Sequence, residues 1–513
     1  MSPAASPTPP GRVADLDWDA ERAEAFADQA VGIWREYLER LPSLPISRGH
    51  TADEVRAAMA MEVPDDPMPD EELLAFLRAA VLEWSVYAGH PGFMAYVTGA
   101  GTVPGAVADL LAAGVNMNVG GWLLSPSATE IERQLIHWLT GVFGLPEGAG
   151  GLLVSGGAMA NFVALKAARD AKAGWDVRRE GVGGPGRPPL AMYLSSETHV
   201  VSQRASDMLG LGWDAMRSIP VDDRYRVDTD ALSSAIATDR NDGVRPIAIV
   251  GSAGTVATGA VDPLDELADL CAAEDLWFHV DAAYGGPAVL ADDLRPVFAG
   301  IERADSIAFD PHKWLYTPHS GGCVLLRDEG LLGASFAVDA SYVRQDKERT
   351  GAGIDFARMG PQFSRGFWAL KVWVSLLAHG RDAYARRISH DAELARYLGA
   401  LVEASDMFEL ATPVSLSICC FRYVPPDLTR GPADTGVRDA YLSELNERIM
   451  SDLQRDGRAY CSNAVLGDRF WLRACIVNFR TEAEHLDRLL EVAAELGSRL
   501  DAELRPASLG GTA

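Results

Sequence analysis

The sequence contains no run of eighteen apolar residues, the length a membrane-spanning helix needs. Its six cysteines, Cys271, Cys323, Cys419, Cys420, Cys461 and Cys475, form no C-x-x-C pair, so neither a zinc site nor a disulfide framework is suggested and reduced core thiols are expected. Basic residues are in deficit. With 46 Lys+Arg against 72 Asp+Glu the net charge is −26, which argues against nucleic acid or an anionic membrane as the main partner. The opening MSPAASPTPPGR is rich in Pro, Ser and Ala and lacks an apolar h-region, which predicts a short disordered tail rather than a signal peptide, and a cytoplasmic protein. No internal repeat is present, and no metal site is expected. What the sequence does have is 513 residues that are 48% hydrophobic, enough for a large core spread over two or three domains.

Three parts are expected. In residues 1–95 the apolar positions Phe26, Ala30, Trp34, Tyr37 and Leu41 recur at helical spacing, one face of an amphipathic helix that needs a surface to cover it. Residues 96–385 alternate short apolar runs with helical stretches: GGLLVSGG then NFVALKAARDA, RPIAIVGS then DPLDELADLCAAED, followed by LWFHVDAA, DSIAFD and GGCVLLRD. That interleaving predicts an α/β layer with a mainly parallel sheet, whose catalytic residues sit at the carboxyl ends of strands. The stretch DVRREGVGGPGRPP reads as a surface insertion. Residues 386–513 change pattern, with short strands around FELATP, LSICCFRYV and FWLRACIVNF and a closing helix from Glu482, a smaller α+β unit.

Four elements carry chemistry. LLVSGGAMANFVALKAAR is a strand, a Gly156-Gly157 turn and a helix start, which offers free N–H groups and a positive dipole end to an anion. It lacks G-x-G-x-x-G and GK[ST], and Gly-Gly by itself is more often a plain turn. Asp281 in LWFHVDAAYGG ends an apolar run where an unpaired carboxylate is costly, so it needs a cation, a cap or a structural ion pair. His199 in SSETHVV stands at another strand end, where a lone histidine is usually structural. Lys313 in FDPHKWLYTP lies at the end of a further strand, poor material for a strand interior unless its amine has a function. Together, an anion cradle, a ring-facing histidine, a carboxylate and a lysine are the parts needed to hold pyridoxal phosphate.

On those residues the chain resembles the group II pyridoxal-phosphate-dependent amino-acid decarboxylases, in particular the aromatic-L-amino-acid branch. The resemblance runs from HPGFMAYV through SPSATEIE, LVSGGAMAN, SSETHVV, GSAGTVATGAVDP, FHVDAAYGG and DPHKWLYTP to SRGFWALKVW and LRACIVNFRT. It implies an aspartate-aminotransferase-like, fold type I architecture with a mainly parallel seven-stranded sheet and a small C-terminal α+β domain. It implies that Lys313 carries the cofactor as a Schiff base, Asp281 meets the pyridinium nitrogen, His199 stacks on the ring and His312 stands beside the lysine. Gly157 and Ala158 would bind the phosphate, and Thr255, Ala283 and Asp310 would also line the cofactor. Tyr342, in the polar segment AVDASYVRQDKERTGAG that suits a lid, falls where the family's proton donor falls. For a lone tyrosine, surface packing is the alternative. Arg365 is expected to be a loop anchor or a cofactor-site charge.

Two positions depart from the family pattern: many relatives have Ser in place of Ala158 and Asn in place of Asp310. A carboxylate beside a phosphate repels it unless it turns away or is protonated, so cofactor binding is expected to persist in weakened form. The resemblance implies a homodimer with residues 1–95 packed on the partner, and decarboxylation of an L-amino acid to an amine. An aromatic substrate is expected because Phe93 and Tyr96 match the pocket-lining segment, and because no added basic cluster calls for an acidic side chain. Glutamate, cysteine sulfinate, diaminobutyrate or a natural-product intermediate remain as alternatives, with Gly120 and Gly121 pointing to a larger pocket or one shaped by the partner. An aldehyde-forming or transaminating enzyme, or a non-catalytic scaffold, are the competing classes.

Overall fold

The computed structural model describes residues 15–338, 353–428 and 435–510. Contacts divide the chain into two compact units, Met1–Tyr87 with Arg455–Gly457, and Ala88–Gln454 with Arg458–Ala513.

The first unit holds three helices. Helix α1 (Ala20–Arg40) starts where the Asp19 carboxylate accepts the Arg22 N–H at 2.8 Å. Helix α2 (Ala52–Met59) opens with a Thr51–Glu54 capping box, and α3 (Asp70–Leu82) follows a proline. Arg22 forks onto Asp70 at 3.0 and 2.7 Å and ties α1 to α3. The predicted amphipathic helix therefore exists, yet none of its own residues is buried; Leu41, just past its end, forms a small cluster with Leu44 and Tyr87, and the half-buried Tyr37 packs against it.

The second unit begins with β1 (Phe93–Met94), α4 (Val103–Val115) and α5 (Pro126–Phe143). The α/β layer then runs β2 (Gly150–Val154), α6 (Gly157–Lys172), α7 (Val177–Glu180), β3 (Leu190–Ser195), α8 (Val201–Met208), β4 (Met216–Ile219), α9 (Thr229–Asn241), β5 (Arg245–Ser252), α10 (Leu264–Glu274), β6 (Trp277–Asp281), β7 (Ser306–Phe309), β8 (Gly322–Leu326) and α11 (Gly330–Phe336). The sheet order is β2-β8-β7-β6-β5-β3-β4, and only β8 runs against the others. Strands β2, β3, β6, β7 and β8 are buried along their whole length, which is why they read as continuous apolar runs rather than alternating ones. The stretch read as a bare surface insertion contains α7, and Arg178 there donates to the Ala337 carbonyl at 2.7 Å.

Helices α12 (Trp368–His379) and α13 (Arg381–Glu403) lead to β9 (Phe408–Leu410), β10 (Ile418–Tyr423), α14 (Thr435–Asp456), β11 (Tyr460–Leu466), β12 (Arg469–Cys475) and α15 (Ala483–Leu504). The second sheet has the order β1-β11-β12-β10-β9. Its edge strand β1 comes from the far end of the sequence and pairs parallel with β11, Phe93 with Tyr460 and Met94 with Cys461. All six cysteines are buried and free, as expected for reduced core thiols. Among the described residues no helix is long and apolar enough to cross a membrane.

Candidate active site

Asp281 ends β6 and pairs in register with Ala308 of β7, so the next turn of chain after each strand lies at the same carboxyl edge of the sheet. After β7 the chain folds into a tight turn, with Lys313 N–H on the Asp310 carbonyl at 3.0 Å and Tyr316 N–H on the Lys313 carbonyl at 3.1 Å. Trp314 anchors that turn. It is fully buried, stacks on Tyr284 with centroids 5.1 Å apart, and donates its indole N–H to Asp391 at 3.0 Å. Lys313 is thereby held at the strand end with its amine in a cavity rather than in the sheet.

The cavity, about 490 Å³, has walls from the ends of five strands and from the second sheet. Gly157, Ala158, His199, Thr255, Asp281, Ala283, Asp310 and Lys313 all line it, as does Tyr96. Helix α6 enters at Gly157. The Met159 and Ala160 N–H groups close onto the Gly156 carbonyl at 3.0 Å, which leaves the Gly157 and Ala158 N–H groups for an outside acceptor. Glycine is needed at position 157, because a Cβ there would lie 2.5 Å from Asp310 Oδ2. Asp281 is buried and accepts the Ala283 N–H at 3.1 Å. Burial lowers the affinity of the His199 ring for a proton, against the opposing pull of Asp281, so it presents a neutral imidazole. Thr255 is buried, and its hydroxyl lies 3.0 Å from that of Thr258.

Other expected residues lie elsewhere. Phe93 is buried in β1 and stacked on Tyr460 with centroids 5.1 Å apart; it is not a cavity wall. His312 stands behind the wall, its Nδ1 2.6 Å from the Gly321 carbonyl and its ring against His319, and burial lowers its pKa. Arg365 is also outside the cavity. It is buried with Glu132, donates to the Leu153 carbonyl at 2.7 Å, and lies over the Phe356 ring, so it braces β2 from beneath. Gly120 faces the Phe363 carbonyl, where a Cβ would come within 2.2 Å, so its small size serves packing and does not enlarge the pocket. Tyr342 lies outside the described residues.

Two further wall residues escaped the sequence reading. Arg473 of β12 is buried, and its guanidinium donates only to neutral oxygens: the Ala257 carbonyl at 3.1 Å, the Tyr96 carbonyl at 2.9 Å and Ser462 Oγ at 3.2 Å. Its Nη2 has no partner. A buried cation without a carboxylate, on a cavity wall, is a waiting anion site. Asn161 is the other. Its amide donates to the Gly157 carbonyl at 2.9 Å and its Oδ1 lies 2.8 Å from His279 Nε2, while His279 Nδ1 lies 2.8 Å from Ser306 Oγ. Because the Asn161 amide group donates, Oδ1 is the acceptor and His279 carries its proton on Nε2. This chain ties β6, two residues before Asp281, to the first turn of α6. Burial pushes the His279 pKa down to about 4, so it is neutral.

The arrangement fits pyridoxal phosphate: unpaired N–H groups at a helix start for the phosphate, Asp281 for the ring nitrogen, a neutral ring at His199 for the ring face, and an amine at Lys313 for the aldehyde. Asp310 alone is a charge of the wrong sign for that cradle. Placed around one cavity at the edge of a mainly parallel seven-stranded sheet, these functions define the class, a pyridoxal-phosphate-dependent enzyme of fold type I.

Comparison with known proteins narrows the class. Residues 53–424 match the pyridoxal-dependent decarboxylase conserved domain. The aromatic-L-amino-acid decarboxylase of Bacillus atrophaeus is 35% identical over 476 residues, 93% of this chain and 95% of that one. The phenylacetaldehyde synthase of a Rosa hybrid cultivar is 26% identical over 476 residues, 91% of this chain and 92% of that one. The crystal structure of Oryza sativa TDC with PLP and tryptamine superposes with a TM-score of 0.87 at 28% identity, covering 94% of this chain and 99% of that one. The chain belongs to the pyridoxal-phosphate-dependent amino-acid decarboxylase family and is a carboxy-lyase that uses pyridoxal phosphate.

Proposed function

We propose that the enzyme decarboxylates an aromatic L-amino acid to the corresponding amine. The observation that carries this reading is the charge count of the cavity wall. Lys313 is committed to the cofactor, and Arg473 is the one other Lys or Arg among the described lining residues. One guanidinium matches one α-carboxylate, whereas an acidic side chain would call for a second. Beside the polar Ser462 and Asn463, the surface near Arg473 comes from Tyr96, Val97, Val256, Ala257, Ala464 and Val465, apolar or aromatic groups suited to a ring.

Pyridoxal phosphate, when bound, supplies an aldehyde for amine exchange and a cationic ring that accepts the electron pair left when carbon dioxide departs. Lys313 Nζ would hold the aldehyde and release it to the substrate amine. The Asp281 carboxylate keeps the proton on the ring nitrogen, since an opposite charge in contact favours the charged form. His199 would face the ring with a neutral imidazole and add no competing charge. Arg473 orients the substrate carboxylate. Tyr342 returns a proton to Cα, on the strength of its place in the segment that matches the family.

We infer a homodimer as well. Helix α4 exposes Val103, Val107, Leu110, Leu111 and Val115, each between 43% and 63% exposed, an apolar stripe that a second copy would cover. Such an obligate interface should exceed roughly 2,000 Å². Six reduced thiols suit a cytoplasmic enzyme.

The test is product analysis over a panel of amino acids, with carbon dioxide, amine, aldehyde and ammonia measured together. Aromatic substrates are expected to yield carbon dioxide and amine in equal amounts. Aldehyde with ammonia would favour the synthase activity of the rose relative, and turnover of glutamate alone would overturn the substrate class.

A further inference from the structure

Asp310 follows β7 and is 3% exposed. Its Oδ2 is 3.0 Å from Lys313 Nζ and 4.0 Å from His312 Nε2. Its Oδ1 is buried and has no hydrogen-bond partner. The carboxylate does not turn away from the phosphate cradle, because a Cβ on Gly157 would meet Oδ2 at 2.5 Å and Oδ1 at 3.0 Å. An orphaned acceptor therefore lies against the first residue of α6, where an anion is to be bound.

A phosphate monoester brings a charge of about −1.5 to −2 at neutral pH, and two anions in contact cannot both keep their charge without cost. A carboxyl group has one hydrogen-bond donor to offer, and only when protonated. We propose that Asp310 takes up one proton as the phosphate enters the cradle and donates it from Oδ1 to a phosphate oxygen, so that cofactor binding in this enzyme is coupled to protonation. The balance is one protein, one phosphate monoester and one proton on the left, and the ternary assembly on the right. This inference rests on the placement of the cofactor in this cavity.

The groups that face Asp310 leave few other sources of a pH effect. Lys313 and His312 lie on its own turn, His319 on the segment that follows, His199 after β3, and Cys323 on β8. Burial lowers all three histidines and raises the thiol, so above pH 7 these four are neutral. The second ionisation of the phosphate is centred near pH 6 and is largely complete above pH 7. Between pH 7 and 9 the carboxyl, Lys313 and the ligand's own ring nitrogen, which faces Asp281, remain.

The test uses pyridoxine 5′-phosphate, which has the ring and phosphate but no aldehyde to react with Lys313, and pyridoxine as the phosphate-free control. Binding to the full chain freed of cofactor is measured by calorimetry from pH 7 to 9, in buffers of different ionisation enthalpy, for the wild type and Asp310→Asn. Both ligands carry the ring nitrogen that Asp281 would hold protonated, so the proton assigned to Asp310 is the excess taken up with pyridoxine 5′-phosphate over pyridoxine. Wild type should show that excess, and its affinity for the phosphate ligand should fall more steeply with pH than its affinity for pyridoxine. Asp310→Asn should take up the same number of protons with both ligands. Wild-type binding without the excess would overturn the inference, and this measurement stands even if the variant does not fold. The same excess in Asp310→Asn would overturn it too, assigning the proton to Lys313. Failure of pyridoxine 5′-phosphate to bind at any pH would remove the cofactor placement along with it, whereas binding without the excess proton removes this inference alone.

Discussion

Asp391 Oδ2 accepts two hydrogen bonds from the turn that follows Lys313, one from Trp314 Nε1 at 3.0 Å and one from Tyr316 OH at 2.7 Å, while Oδ1 accepts the Arg387 Nε–H at 2.8 Å. Helix α13 thus grips the residues just after Lys313. Asp391 has no exposed surface, and burial pushes its pKa up to about 6 against the lowering pull of Arg387.

Removing that carboxylate strands two buried donors, Trp314 Nε1–H and Tyr316 O–H, and takes one partner from the half-buried Arg387 guanidinium. Asp391→Ala should lose about 3–5 kcal/mol of stability by denaturant unfolding. Any folded fraction should hold the cofactor with altered absorbance, because the Lys313 turn has lost its anchor. A variant as stable as the wild type would show that Arg387, paired with Glu482 at 3.0 Å, needs no second carboxylate.

The buried His279 predicts a pH dependence. Its folded pKa, about 4, lies below the ordinary value of 6.5, so the unfolded chain binds more protons between those limits. Stability should therefore be fully present above pH 6.5 and fall as pH drops toward 4, by up to about 3 kcal/mol from this group. His279→Gln should flatten that part of the profile, as read from chemical denaturation at pH 7, 6 and 5. A slope unchanged in the variant would assign the acid loss to other groups.

Arg473→Ala should weaken substrate use and spare cofactor binding. Loss of a charge-assisted hydrogen bond of about 1.5–3 kcal/mol corresponds to a roughly 10- to 100-fold drop in kcat/KM. The absorbance of the bound cofactor should not change, since no expected cofactor contact is removed. A normal kcat/KM would exclude Arg473 from carboxylate recognition.

Tyr342→Phe separates two products. If the phenol protonates Cα, amine formation should fall by about 10²–10⁴-fold while carbon dioxide release falls less. Equal yields at the wild-type rate would move the acid role to another group, with His199 the first candidate on the cavity wall.

Much of this site was legible because its chemistry violates local expectation. A lysine and an aspartate at the ends of apolar runs, and a Gly-Gly turn before a helix, each stand out from a pattern that would otherwise be plain strand and helix. Arg473 carried the same signal, one charge inside FWLRACIV, but two of the carbonyls it donates to, Tyr96 and Ala257, lie hundreds of positions earlier and could not be read locally. The same distance hid β1, whose two residues pair with Tyr460 and Cys461. Strand β11 itself, YCSNAVL, mixes polar and apolar residues and shows neither a clean alternation nor a continuous apolar run. Asp391 sits in RISHDAELARYL at a spacing where a solvated helix face and a buried one look alike. Phe93 misled because the resemblance identifies a segment, and within that segment β1 turns its ring onto Tyr460.

The central claim is that Lys313 holds pyridoxal phosphate opposite Asp281. It is tested most directly by borohydride reduction of the cofactor-loaded protein, followed by digestion and mass spectrometry of every lysine peptide. Cofactor attached to Lys313 alone, with Lys313→Ala unlabelled and without turnover, is the predicted result. A label on another lysine, or a Lys313→Ala enzyme that turns over at the wild-type rate, would contradict it.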